Sequence, residues 1–584
     1  MRHLFWGRRR LVHRAVVATA AAGLVTGLLT GSGQAADAAA VTTSTTSYVA
    51  SNGVTYTATN HLTPAASGPG REWLLAWSGP DDPAAPDFMA VIDATRGSAH
   101  YGEIVNTVTM GPGTGNEPHH MQYVWHKGDQ IYASGIKSDT TFVFDSHALP
   151  ALKLIGVNDP QDTACGTMPD AYTVLKDGTA YGTFVGGPNV TGPCTYTNGQ
   201  VRDGNGAAGS PGEVVHFDKT GKTLAEIPVA LAQGEDPNQC ANIPAIPKAT
   251  CANPHGVAVR EDLGIMVASD FTETRSIPKP GTPLPDGVEK LARQTVRVFD
   301  IKDENNPKLR SISKVSDGPR VSQEWNKAFG ESRVVMETAL PNKRNHRGAF
   351  VSTMAGGAIF YTPDIMAEHP KWREIFDDTT AYRTFHPDGS VTGGGDNGSW
   401  LMMSPDDRYL FHTVMGSSTT YGKPLDVTTG MVYVLDVHKL LADGDKAACS
   451  IDRLDEAYRG GDEPDCPALT GVMPINDPTD GGPHWGTMDT FRQNAMGQYR
   501  DTDTVSRIAT SNYFIAGSFG GGGDHRICMF NLDRRGRLSL DTTFRDENTG
   551  QACVNMNRQN WPHGSYGNGR AHGLLFVVSD KALR

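Results

Sequence analysis

The sequence contains no C-x-x-C motif, so its eight cysteines offer neither a zinc ribbon nor a thioredoxin-type redox pair. It has no Gly-x-Ser-x-Gly elbow, which removes the usual nucleophile of an α/β-hydrolase. Paired carboxylates such as Asp406-Asp407 sit in a turn motif and do not suggest glycosidase chemistry. Net charge is −12 and no Lys/Arg block follows the N-terminal segment, so nucleic acid is not an expected partner. Long amphipathic helical windows are scarce. The apolar run Leu11 to Thr30 is broken by His13, Arg14 and several Gly and Thr, too weak for stable membrane insertion.

That run reads instead as part of an export signal. Met1 to Arg10 is basic, and the apolar stretch ends in the small residues Ala35 to Ala40, an A-x-A type cleavage site. Arg8-Arg9-Arg10-Leu11-Val12 resembles a twin-arginine signal, used by bacterial proteins that are exported already folded. Residues 1–40 are therefore expected to be a signal peptide, 41–55 a disordered Thr/Ser-rich lead-in, and 56–584 one folded domain. Cys165, Cys194, Cys240, Cys251, Cys449, Cys466, Cys528 and Cys553 all fall in the exported part, an even count in an oxidising compartment. Disulfides are the expected state. The cysteines form four neighbouring pairs along the chain, although sequence alone leaves connectivity open.

What is plentiful is turn chemistry, with 66 Gly and 36 Pro. Between the turns lie short runs of strand length, rich in Val, Ile, Phe and Tyr and often ending on Asp or Asn. Examples are Phe88-Met-Ala-Val-Ile-Asp93, Thr295-Val-Arg-Val-Phe-Asp300, Met431-Val-Tyr-Val-Leu-Asp436 and Arg526-Ile-Cys-Met-Phe-Asn531. The runs recur as a unit that cannot bury its own faces, whereas several units arranged radially can. The expected fold is all-β, a single β-propeller of seven blades, with six and eight as neighbouring alternatives. Polar or cysteine-bearing insertions at 198–212, 234–251, 277–290, 443–465 and 491–505 read as long loops on its faces.

Histidine falls at repeated places in these units. Pro118-His119-His120, Pro254-His255-Gly256, Asn345-His346-Arg347, Pro483-His484-Trp485 and Ala571-His572-Gly573 mostly precede an apolar strand. In a propeller the innermost strands start around the central channel, so histidines far apart in sequence become neighbours there. His119, His120, His255, His346, His484 and His572 are the candidate metal ligands. Several imidazoles without thiolate favour copper or non-haem iron over structural zinc. Asp170, Asp396, Asp489 and Glu337 are candidates to hold the second ring nitrogens, and Asp170 or Asp396 is a candidate proton acceptor.

The order of these segments resembles the selenium-binding protein and bacterial methanethiol oxidase family. Pro86-Asp-Phe-Met-Ala-Val-Ile-Asp93 followed by His119-His120 is similar to that family's opening strand and Leu-His-His motif. Gly264-Ile-Met-Val-Ala-Ser-Asp-Phe271, Met403-Ser-Pro-Asp-Asp-Arg-Tyr-Leu-Phe411, Gly481-Gly-Pro-His484 and Ala571-His572-Gly573 resemble later family segments in the same order. The resemblance implies a seven-bladed propeller, a histidine-built copper site and oxidation of methanethiol by oxygen, with His119, His120 and His572 carried over as ligands. The chain departs from the pattern in two places. Pro169-Asp170-Ala171-Tyr172 stands where the family has a Pro-His-Thr stretch, and no cysteine precedes Cys165 to match the family's selenium-linked motif.

The expected function is a secreted copper-dependent oxidase acting on a small molecule and oxygen. Two alternatives differ in kind: an iron oxygenase of the four-histidine propeller type, and a non-enzymatic binding propeller of the cell envelope.

Overall fold

The computed structural model describes residues 40–584 except 69, 83, 113–116, 190, 244–245, 277–289, 323–330, 380–397, 416–418, 421–422, 425–429, 476–481 and 513–524. Residues 1–39 of the expected signal peptide lie outside the described residues, as does Asp396. No helix among the described residues is long and apolar enough to cross a membrane.

The strands build a seven-bladed β-propeller of antiparallel sheets. Blade 1 runs outward from Gly569–Val578 through Glu72–Pro80, Phe88–Asp93 and Ile104–Gly111. Its inner strand is thus supplied by the C-terminus, which closes the ring. Blades 2 to 7 begin with the inner strands Pro118–Met121, Thr167–Val174, Pro254–Arg260, Val335–Ala339, Gly398–Met403 and Trp485–Asp489.

Both faces of a blade are covered by its neighbours, which explains why strands such as Phe88–Asp93 are buried throughout and apolar without alternation. Trp77, Trp400 and Trp485 are buried and reach across to a neighbouring blade. Trp77 donates to Ser134 O at 2.7 Å across the blade 1–blade 2 contact, and its ring lies 5.8 Å from Phe142. At about 25 cal/mol per Å², burying one such ring contributes roughly 4–6 kcal/mol before entropy is counted. The strand-ending aspartates have a local cause. Asp93, Asp145, Asp300 and Asp436 each accept the backbone N–H two residues on, turning the chain as the strand ends.

Arg507, fully buried, ties the last blade to the first. It reaches Glu72 at 2.6 Å, Asp489 at 2.7 Å and Ala94 O at 2.7 Å. The four disulfides join the neighbouring pairs 165–194, 240–251, 449–466 and 528–553. Such bonds suit an extracytoplasmic protein.

One expectation is overturned. The segment 41–55 is not a disordered lead-in, because Thr42–Val49 pairs with Thr55–Leu62 and extends blade 1 outward by two strands. Its Thr-rich composition suits an exposed edge strand, with Thr45 and Thr59 hydroxyls 3.0 Å apart across the pair. The insertions at 198–212 and 491–505 contribute to small hairpins, Thr191–Thr195 with Val201–Asn205 and Phe491–Gln493 with Tyr499–Asp501.

Candidate metal centre on the propeller axis

The inner strands share an irregularity at one place. In blade 2, Pro118 pairs with Gly135 and Met121 with Ala133, so three steps on the inner strand face two on its neighbour. The same extra residue occurs at Asp170-Ala171, His255-Gly256, Met336-Glu337 and Ser399-Trp400 in blades 3 to 6, and at His572 in blade 1. A bulge breaks the alternation of side chains and re-aims one of them. In blade 7, His484 achieves a similar position by standing immediately before the inner strand.

The glycines after His255 and His572 explain the His-Gly dipeptides. A Cβ at 256 would lie 2.8 Å from Glu337 Cα, and one at 573 would lie 2.9 Å from His119 O. Neighbouring inner strands pack too closely there for any other residue.

The result is a sealed cluster on the axis. His119, His120, His484 and His572 each offer a ring nitrogen within 4.8 Å of the others, and His119, His120, Asp170 and His255 form an overlapping set. All six residues are buried. His120 Nε2 and His484 Nε2 lie 3.2 Å apart. Asp170 Oδ1 lies 3.3 Å from His119 Nε2 and 2.9 Å from His120 Nδ1, while its Oδ2 lies 3.1 Å from His255 Nε2.

Outer groups fix the rings. His255 Nδ1 lies 2.9 Å from Met336 O and must donate to it, which leaves Nε2 with its lone pair facing inward. Ser399 Oγ is 2.7 Å from His484 Nδ1. Trp485 stacks on His120 at 4.0 Å and Phe271 on His255 at 4.8 Å, excluding water. Tyr123 donates to Glu337 Oε2 at 2.5 Å, and Glu337 Oε1 lies 3.4 Å from His255 Nδ1.

Burial, reinforced by mutual repulsion, holds His119, His120, His484 and His572 well below the ordinary histidine range. His255 is lowered by burial, against the opposing pull of Asp170. The imidazoles are therefore neutral at pH 7, the form that binds metal. Burial pushes Asp170 up to about 6 and Glu337 well above the carboxylate range. His119 Nδ1, His120 Nδ1 and both Asp170 oxygens make no hydrogen bond, and the 2.9 Å approach of His120 to Asp170 lacks hydrogen-bond alignment. Each unsatisfied buried group costs about 1–3 kcal/mol. A cation shared among these atoms removes that cost, so the donor set fits a metal.

Not every expected residue arrives here. His346 follows the inner strand of blade 5 instead of preceding it, which places it at the opposite end of the blade, bonded to Asp407 at 2.8 Å. The axial residues of blade 5 are Met336 and Glu337. Asp489 is not near the imidazoles either, since it sits at the far end of its strand and pairs with Arg507. Asp396 lies outside the described residues. His412 is a packing residue, its Nδ1 3.1 Å from Trp400 O. Sequence reading missed Tyr123, Ser399 and Trp485. Tyr123 and Trp485 carried a signal, standing three residues after the His-His pair and directly after His484.

A cavity of about 730 Å³ lies where the inner strands of blades 2 to 5 end, lined by Tyr123, Asp129, Lys176, Arg260, Asn342 and Arg344 among others. Tyr123 connects this cavity to Glu337.

No known family profile and no curated protein matches the sequence. Among solved structures, a hypothetical selenium-binding protein from Sulfolobus tokodaii is 12% identical with a TM-score of 0.54, covering 88% of this chain and 95% of that one. Putative 6-phosphogluconolactonases from Bacteroides fragilis and Bacteroides uniformis are each 12% identical, with TM-scores of 0.42 and 0.43; each covers 87% of this chain, and 98% and 99% of their own. At these identities the likeness to the first is one of fold.

Proposed function

We propose that this protein is an extracytoplasmic copper-dependent oxidoreductase that oxidises a small thiol with oxygen at the histidine centre on the propeller axis. The observation that carries the reading is the convergence of five imidazoles and one carboxylate from five blades, sealed from solvent, with buried ligand atoms that no protein group satisfies.

His119, His120, His484 and His572 would hold the ion, an all-nitrogen set that suits copper. When bound, copper supplies one-electron exchange with oxygen. Ser399 and the Met336 carbonyl orient the rings of His484 and His255, and Trp485 keeps water away from His120. Asp170 would accept the thiol proton; its Oδ2 faces His255 Nε2 at 3.1 Å. From His255 a proton route continues through Glu337 to the Tyr123 hydroxyl and the cavity.

The resemblance to methanethiol oxidases supports methanethiol as the substrate. The overall change balances: methanethiol, oxygen and water give formaldehyde, hydrogen sulfide and hydrogen peroxide, with carbon losing two electrons and oxygen gaining them. An oxygen electrode tests the assignment. Copper-loaded protein should consume one oxygen per thiol and release peroxide and formaldehyde. A copper-loaded protein that consumes no oxygen with methanethiol or other small thiols overturns it.

A second reading rests on the overlapping set His119, His120, Asp170 and His255, whose carboxylate suits non-haem iron. The two are separated by which substitutions release the metal: His484→Ala and His572→Ala for the all-nitrogen set, Asp170→Asn and His255→Ala for the other.

A further inference from the structure

Blade 5 carries a second cluster of ligand groups, built only from oxygen. Arg320 lies in the short turn Pro319–Ser322 that leads into the blade, and Glu331 precedes its inner strand. Glu374 lies in its outermost strand, Arg373–Phe376, and Asp377 and Asp378 follow directly. In a four-stranded antiparallel blade the inner strand starts on the face where the outer one ends, so these segments meet. The five side chains are no more than 2% exposed.

Among the described residues, the three carboxylates of Glu331, Glu374 and Asp377 meet one cation. Arg320 Nε lies 2.8 Å from Glu331 Oε2 and 2.5 Å from Asp377 Oδ2, and its Nη2 lies 3.9 Å from Asp378 Oδ1. Among the described residues Arg320 is the one cation in ion-pair contact with Glu331 and Asp377, and no ion pair reaches Glu374. Elsewhere a buried arginine serves two acids, as Arg507 does for Glu72 and Asp489 and Arg297 for Asp270 and Glu235. Here neither oxygen of Glu374 has a hydrogen-bond partner. Glu374 and Glu331 also converge on Gly318, where a Cβ would lie 2.6 Å from Glu374 Oε2 and 2.3 Å from Glu331 Oε1. One oxygen from each of Glu331, Glu374 and Asp377 lies within 4.8 Å of the others.

We infer that Glu331, Glu374 and Asp377 form a calcium site in blade 5, independent of the histidine centre. Excess buried carboxylate charge costs several kcal/mol per ion unless it is paired. Calcium takes six to eight oxygens at about 2.3–2.6 Å, so two oxygens sharing it are at most about 5.2 Å apart. The cluster offers no imidazole or thiolate to a softer metal, and magnesium resists giving up its waters in so crowded a place. Bound there, the ion would link the Pro319–Ser322 turn, the approach to the inner strand and the end of the outer strand.

The full exported chain, stripped with EGTA, is titrated with calcium by calorimetry and melted with 2 mM calcium or magnesium. The expected result is one calcium per chain and a Tm raised by several degrees with calcium alone. Glu374→Gln should weaken calcium binding at least tenfold and lose the Tm rise, while its transition-metal content matches the wild type. The inference is overturned if stripped wild-type protein takes up no calcium and its Tm does not respond, as a carboxyl pair sharing a proton would behave. It is equally overturned if Glu374→Gln binds calcium as the wild type does. Should that variant not fold, the wild-type titration alone decides.

Discussion

Replacing Asp170 by Asn in metal-free protein removes one buried charge at nearly constant volume. Burial pushes Asp170 up to about 6, against an ordinary value near 4. A displacement of about two pH units corresponds to about 3 kcal/mol. Because the folded state keeps its proton to higher pH than the unfolded chain, it binds more protons between about pH 4 and 6. Stability from this group is therefore present below pH 4 and lost as pH rises through 6. Asn carries no such dependence. The variant minus wild-type difference should shift by about 3 kcal/mol in the variant's favour between pH 4 and pH 7.5. For a chain of more than 500 residues, 1 kcal/mol moves Tm about 1 °C, so the melts should diverge by about 3 °C. Calorimetry on metal-stripped proteins at several pH values measures this, distant titrating groups cancelling in the difference. Parallel Tm curves across the window would refute the placement of Asp170 in a dry, uncompensated site.

His572→Ala should lower metal affinity by at least tenfold, read by competition with a chelator, because it removes one of the four imidazoles of the all-nitrogen set. Tyr123→Phe and Glu337→Gln should each lower kcat about 10–100-fold with little change in KM and steepen the pH profile, since they serve proton movement and not binding; an unchanged kcat in both removes the proton route. Arg507→Leu strands Glu72 and Asp489 without their cation and should destabilise the closed ring by about 3–5 kcal/mol, measured by calorimetric melting, with a loss below 1 kcal/mol counting against the closure role.

Strands were readable where a blade is sandwiched between two others, because burial on both faces leaves a continuous apolar run ending in an Asx turn. Phe88–Asp93 and Thr295–Asp300 coincide with their observed bounds for that reason. Five of the six expected histidines converge because position at or near the start of an inner strand is a sequence-local property. His346 shares the turn-like neighbourhood but sits after its strand, and nothing local distinguishes one end of a blade from the other. The bulges that aim the side chains were invisible, since they depend on register with a partner strand. So was the acidic cluster of blade 5, whose members are spread from Arg320 to Asp378 and meet only once the blade closes. The Thr-rich start misled because its composition resembles a flexible linker, while its cross-strand partner at Thr55–Leu62 decides the outcome.

Element analysis joined to electron-spin spectroscopy, on protein purified without added metal, tests the central claim most directly. The account predicts one copper per chain with hyperfine coupling to several nitrogens, abolished in His119→Ala and His572→Ala. A folded protein with no transition metal, or one whose copper survives both substitutions at full stoichiometry, would contradict it.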